Sequence, residues 1–207
     1  MPPELLAARW NALMRACDLD PALASPHFDV LVAAYGERHR AYHDLEHVAH
    51  MFAELDGVPL WDPAVEWATW YHDAVYRPGG RDNETRSAAL ARGGLEALGL
   101  QRLERRVVQL IEATRLHRID AEDTAALLFL DADLAILGSE PTAYLRYAEG
   151  VRAEHRAIPG FLYARGRRAF LRELLGRPSI FMTPHFRDRY DRHARENLQS
   201  ELARLES

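Results

Sequence analysis

The sequence predicts an all-α fold. Three observations carry that expectation. Apolar residues recur at three- and four-residue spacing through most of the 207 residues, short glycine- or proline-containing breaks separate these runs, and only residues 179–183 read as extended. Five residues are too few to build a sheet. The expectation is therefore a single domain over residues 1–207, a helical bundle of roughly nine or ten helices joined by short turns. A core carrying the site is expected over about residues 26–140, with helices from 141–207 packed on it.

The elements follow in chain order. Ser25 and Pro26, followed by Phe28, Val30, Leu31 and Ala34, read as an N-cap, a first-turn proline and an apolar face. Asp62 and Pro63 open a second helix through Val65, Trp67, Ala68 and Tyr71, taken to run on to Tyr76, with Trp67 and Trp70 in the core. Leu103, Val107, Leu110, Ile111 and Thr114 keep the helical period, as do Leu127, Leu128, Leu130, Leu134 and Leu137. Ser139, Glu140 and Pro141 start a helix through Tyr144, Leu145 and Ala148. From Pro184 onward a long charged helix carries Phe186, Tyr190, Ala194, Leu198 and Leu202. Breaks fall at Gly57-Val58-Pro59, Arg77-Pro78-Gly79-Gly80, Gly99, Gly138, Pro159-Gly160 and Arg177-Pro178.

Composition removes several function classes. A net charge of −5 argues against coating nucleic acid, which needs clustered positive charge. Every basic residue is arginine, so Schiff-base chemistry and the lysine-dependent phosphate loop are both excluded. Arginine remains suited to gripping phosphate oxygens. Cys17 is the single cysteine, which leaves no intrachain disulfide and no thiolate metal cluster. The start, Met1-Pro2-Pro3-Glu4, lacks the basic and apolar regions of a signal peptide, and no apolar run is long enough to span a bilayer. A cytoplasmic protein with no membrane partner is expected, and a homodimer is left open.

Histidines and carboxylates gather at three places: Tyr42-His43-Asp44-Leu45-Glu46-His47, Trp70-Tyr71-His72-Asp73 and Leu130-Asp131-Ala132-Asp133-Leu134. Each lies inside or at the start of an apolar helical run. Burying imidazole and carboxylate there is costly unless the groups are paired or hold a metal. His43 and His47 are four apart and share a helix face if the helix begins near Asp44. His72 and Asp73 point about 100° apart, close enough to reach one ion over the helix shoulder. Asp131 and Asp133 lie on different faces, so at most one points at a shared centre. Taken singly, each cluster has an ordinary structural explanation. Together they make a mixed nitrogen–oxygen site suited to Mn²⁺, Fe²⁺, Co²⁺, Ni²⁺ or Zn²⁺, and spacing does not choose among these.

In this order and context the clusters resemble the HD superfamily of metal-dependent phosphohydrolases, whose signature is His, then His-Asp, then a distant Asp: here His47, His72-Asp73 and Asp133. The run at 42–47 resembles the Tyr-His-Asn-x-x-His opening of the cyclic-nucleotide phosphodiesterase branch. Ala132-Asp133-Leu134 resembles the element holding the last ligand, which favours Asp133 over Asp131. Residues 71–76, 82–88, 129–138 and 194–198 are similar to a bacterial subgroup described as predicted metal-dependent HD superfamily phosphohydrolases, so the resemblance spans most of residues 42–198.

What the resemblance implies is an all-α fold, one divalent metal ion on His47, His72, Asp73 and Asp133, and hydrolysis of a phosphomonoester, phosphodiester or phosphoanhydride by a metal-activated water. The metal is not distinguished among Mn, Fe, Co, Ni, Zn and Mg. The partner it implies is a small phosphorylated substrate, nucleotide-like in character. Asp73 is grouped with the catalytic residues, and His43 would supply the proton for the leaving oxygen. Glu84 and Asn83 are expected to position water or ribose hydroxyls, with His117 lining the pocket or reaching a second metal, and Arg152 and Arg195 clamping phosphate. Ala74, Val75 and Tyr76 stand where the alarmone-hydrolase branch carries acidic residues, which argues against that activity. Two rivals remain: a zinc peptidase of the His-x-x-Glu-His type, using Glu46 as base and Glu122 as third ligand, and a nucleotide- or metal-sensing module without turnover.

Overall fold

The computed structural model describes residues 3–58, 61–120 and 122–206, which form ten α-helices, one 3₁₀ turn and, among the described residues, no strand. Met1, Pro2 and Pro59, used above for the chain start and the first break, lie outside the described residues. The helices are α1 (Pro3–Ala16), α2 (Pro21–Tyr35), α3 (Leu45–Leu55), α4 (Pro63–Tyr71), α5 (Asn83–Ala97), α6 (Gln101–Ala113), α7 (Thr124–Leu134), α8 (Pro141–Glu154), α9 (Gly160–Leu175) and α10 (Pro184–Glu206), with the 3₁₀ turn (Ala135–Gly138) between α7 and α8. None of the described helices is long and apolar enough to cross a membrane.

Local chemistry sets most of the helix starts. Asp20, Asp44, Asp62 and Asp123 each accept a backbone N–H of the first turn that follows, and Pro21, Pro63 and Pro141 occupy first-turn positions where no N–H is needed. Two boundaries differ from the sequence reading. Helix α2 begins at Pro21, not Pro26, because Asp20 caps it by accepting from Ala22 N at 2.9 Å; Pro26 lies inside the helix, where it withholds one backbone donor. Helix α4 ends at Tyr71 rather than Tyr76, and His72 is its C-cap. Residues 72–75 turn away instead of continuing the helix.

Apolar packing is organised in two clusters. The first joins α1 to α6 and the front of α7 around Trp10, Trp67 and Trp70, whose rings meet edge to face at 5.3 and 5.6 Å from Trp10; Trp61 is exposed. The second joins the back of α7, the 3₁₀ turn and α8 to α10 around Tyr144, Phe181 and Phe186. Helix α7 belongs to both, so a polar side chain on α7 is held between two packed layers.

Candidate metal centre

His47 sits in the first turn of α3, where capping by Asp44 fixes the backbone (Glu46 N and His47 N donate at 2.8 and 3.3 Å). Its ring is buried beneath Tyr42, centroids 5.0 Å apart. His72, at the end of α4, faces the Thr69 carbonyl through Nδ1 at 3.0 Å. A carbonyl only accepts, so Nδ1 carries the proton and Nε2 is turned to the cluster. Asp133 arrives from the last turn of α7. His47 Nε2 and His72 Nε2 stand 3.1 Å apart, with Asp133 Oδ1 3.2 and 3.7 Å from them and Asp73 Oδ2 3.3 Å from His72 Nε2.

Three of these residues, His47, His72 and Asp133, fit a divalent cation; Asp73, expected as a fourth ligand, falls outside that group and faces His72 Nε2. One donor atom from each of His47, His72 and Asp133 lies within 4.8 Å of the others, a nitrogen–oxygen set that suits a borderline transition metal. His47 Nδ1 is buried without a partner, so Nε2 is that ring's one working polar atom. The electrostatics point the same way. Burial disfavours a charged His72, but the adjacent Asp73 carboxylate and then Asp133 overcome it and raise the His72 pKa to about 9. Burial likewise disfavours a charged Asp133, yet hydrogen bonds with His117 and His47 hold it well below the carboxylate range. Asp73 is low for the matching reason: its imidazolium neighbour His72 outweighs burial. The pocket is built to hold positive charge.

His43 is not stacked on the α3 face as its spacing suggested, because it precedes the Asp44 cap and so lies outside the helix. It is positioned by Glu154, at the end of α8. Glu154 Oε1 accepts the backbone N–H groups of Ala41, Tyr42 and His43, all at 2.9 Å, while Oε2 lies 2.7 Å from His43 Nδ1 and accepts the Tyr76 hydroxyl at 2.9 Å. Burial opposes a charged His43, but the Glu154 hydrogen bond and the charges of Asp73, Glu154 and Asp133 raise its pKa. Burial likewise opposes a charged Glu154, yet the His43 ring and the Ala41 and His43 amides bring its carboxyl to about 2. Gly150 lets α8 approach this closely: a Cβ there would lie 2.8 Å from the Ala41 carbonyl oxygen and 3.1 Å from Tyr42 Cβ. Arg40 ties the His43 loop to the Asp73 turn, donating to the carbonyls of His43 and Asp73 (2.8 Å each) and Ala74 (3.1 Å).

One cleft of about 240 Å³ is lined by His43, His72, Asp73, Asn83, Glu84, His117 and Asp133, with His47 Nε2 closing the cluster behind. His117 Nε2 lies 2.9 Å from Asp133 Oδ2, and its backbone is left-handed (φ 46°), a conformation that costs a non-glycine residue about 1 kcal/mol or more. Glu84 is 3.4 Å from Arg115 Nε. The Asn83 amide spans the backbone of Arg77, accepting its N–H and donating to its carbonyl, so its bonds go to the turn after Asp73.

Asp131 is buried on the opposite face of α7. It accepts from Met182 N, Thr183 N and Thr183 Oγ1 at 2.7–2.8 Å and anchors the segment leading into α10. The two expected phosphate clamps lie outside the cleft. Arg195 bridges to Asp191 and donates to the carbonyls of Leu175, Arg177 and Pro178, satisfying the end of α9. Arg152 donates to the His155 carbonyl and covers the Tyr163 ring. Both are occupied by helix ends. Glu122 is exposed and is no part of the ligand group, and Glu46 is exposed.

The sequence reading missed Glu154, Arg40 and Arg167, the last also lining the cleft. A signal existed for Glu154, which continues the apolar stripe Tyr144, Tyr147, Val151 on α8. Arg167 is likewise a charge on the buried face of α9, in register with Leu171 and Leu174. Arg40 lies in an irregular segment with no period to betray it. No family model, curated protein or solved structure matches the chain.

Proposed function

We propose that this chain is an HD-superfamily metal-dependent phosphohydrolase acting on a small phosphorylated substrate, with its divalent metal held by His47, His72, Asp73 and Asp133. The convergence of two imidazole Nε2 atoms and the Asp133 carboxylate on one point of a cleft, with Asp73 Oδ2 3.3 Å from His72 Nε2, is the observation that carries the reading. A divalent cation in such a set supplies charge neutralisation for phosphoryl oxygens and acidifies water.

The chain's own residues do the rest. Glu154 keeps the proton on His43 Nδ1 and holds the ring over the cleft beside Tyr76, centroids 4.3 Å apart. Its raised pKa makes His43 a proton donor to a leaving oxygen near neutral pH. Arg40 fixes the spacing between that donor and the Asp73 turn, so the acid and the ligands move as one unit. Glu84 and His117 border the same space and are placed to orient water, with Glu84 Oε2 facing Arg115 and His117 Nε2 facing Asp133.

Metal analysis of the purified protein, paired with a phosphate-release screen over nucleotides and simple phosphoesters with added Mn²⁺, Co²⁺, Ni²⁺ or Mg²⁺, tests the proposal. About one metal per chain and metal-dependent release, both lost in His72→Ala, are expected. Bound metal with no release from any phosphate compound would transfer the site to a sensing module, and failure to take up metal under any loading condition would remove the centre itself.

A further inference from the structure

The cleft is charged asymmetrically. Asp73, Glu84 and Asp133 come from the α4 turn, α5 and α7, whereas α9 contributes Arg167, the one guanidinium lining the cleft among the described residues. Arg167 is only 8% exposed. Its Nε and Nη2 donate to Glu201 at 2.8 and 3.0 Å, and its Nη1 donates to the Tyr147 hydroxyl at 3.0 Å. A guanidinium has five N–H groups. Among the described residues, Nη1 and Nη2 therefore each retain one with no protein acceptor.

Glu201 belongs to α10 and does not line the cleft; the Tyr144 hydroxyl holds it from the other side. The Tyr147 and Phe170 rings lie beside the guanidinium, each centroid 5.1 Å from Cζ. Clamping α9 to α10 uses the Glu201-facing edge of Arg167 and gives no reason for the group to border the cleft. What results is a guanidinium fixed in orientation before any ligand arrives; Glu201 balances its charge, and what it offers a further anionic acceptor is its two uncommitted N–H groups. Arg167 is also near the metal centre through a run of rings: guanidinium to Tyr147 at 5.1 Å, Tyr147 to Tyr42 at 4.6 Å and Tyr42 to His47 at 5.0 Å. Arg167 and Asp133 line the same cleft, and a ligand that engages both reaches across this run of rings.

Resting on the phosphohydrolase reading, we propose that Arg167 is a second anion-binding point of the cleft, so that the substrate is a small phosphorylated compound carrying a further anionic group, a carboxylate or another phosphate. Calorimetric titration in Mn²⁺ buffer tests this without reading turnover. The probes are methyl phosphate, phosphorylated ω-hydroxy acids of increasing chain length beginning with 2-phosphoglycolate, and pyrophosphate and tripolyphosphate. Wild-type protein should bind at least one two-anion probe about tenfold or more tighter than methyl phosphate. The acid and polyphosphate arms separate a carboxylate from a phosphate as the second group.

In the double variant Arg167→Met/Glu201→Met, which removes the buried pair without orphaning a charge, that advantage should fall to within about twofold while methyl phosphate affinity is unchanged. An advantage that survives in the double variant overturns the proposal, because metal chelation alone then accounts for it. Equal affinity of wild-type protein for every probe overturns it as well, whether or not the variant folds. Arg167-dependent binding with no phosphate release from any probe supports the anion site and counts against the hydrolase reading.

Discussion

Replacing Glu154 by Gln keeps the volume of the side chain and removes its charge. The oxygen facing the three amides of residues 41–43 is retained, but the atom facing His43 Nδ1 and the Tyr76 hydroxyl becomes an N–H donor. Two bonds to a carboxylate turn into bonds between neutral groups, and His43 must move its proton to Nε2 to accept one of them. With charge-assisted bonds worth about 1 kcal/mol more than neutral ones, and the tautomer shift added, Glu154→Gln should destabilise the fold by about 2–3 kcal/mol. For a chain of this length that is a drop in Tm of roughly 4–12 °C.

The pH dependence is specific. Glu154 titrates near 2 in the fold against an ordinary 4.5, so its stabilisation is complete above about pH 4.5 and is lost as pH falls towards 2. The His43 pKa is raised above 6.5, so its stabilisation is complete below that value and is lost as pH rises through the folded pKa. The gap between wild-type and variant should therefore be widest between about pH 4.5 and 6.5. Urea unfolding of EDTA-treated protein across that range measures the gap, and the His43 ring proton in NMR titration should show a lowered pKa in the variant. A gap below about 0.5 kcal/mol at pH 5.5, or one that does not vary with pH, would refute the coupling assigned to this pair.

Further outcomes follow from the same contacts. Asp131→Asn should cost about 2–4 kcal/mol of stability, since a buried carboxylate accepting three hydrogen bonds loses an acceptor, and should leave metal content unchanged. Asp133→Asn should instead collapse metal uptake in elemental analysis, and should also lower the melting temperature because its carboxylate is held low by His117 and His47; loss of metal uptake in both variants would contradict the division of labour on α7. Gly150→Ala gains helix propensity but drives a methyl against the Ala41 carbonyl, so a net loss of about 1 kcal/mol and a fall in the His43 pKa are expected from melts and NMR. Pro26→Ala restores a missing α2 backbone donor and should raise stability by about 1 kcal/mol; a lower Tm would show that Pro26 is held by something other than its helix.

The sequence by itself determined the all-helical character, the starts of α3, α4, α8 and α10, and which residue types are gathered. Those features are written in interactions that close within four residues. Asp62-Pro63 caps and starts α4 on its own, and the apolar period of residues 103–111 needs no partner to be read. That Asp131 and Asp133 must face different ways was also legible, because a helix turns about 200° over two residues. Which of the two meets the histidines was not a local matter, nor was the end of α4 at Tyr71, which leaves His72 at a cap and Asp73 in a turn.

The tertiary structure alone decided the partners. Glu154 reaches His43 across 111 residues, and Arg40 reaches Asp73 across 33. Arg152 and Arg195 looked equally suited to phosphate until helix ends claimed their donors, whereas Arg167, on a buried face, was left bordering the cleft. A buried polar group must find its partner among whatever the packed helices bring within about 3 Å of it. That set is fixed by close approaches such as the one Gly150 permits between α8 and the His43 loop, and not by the residues beside the group in the chain.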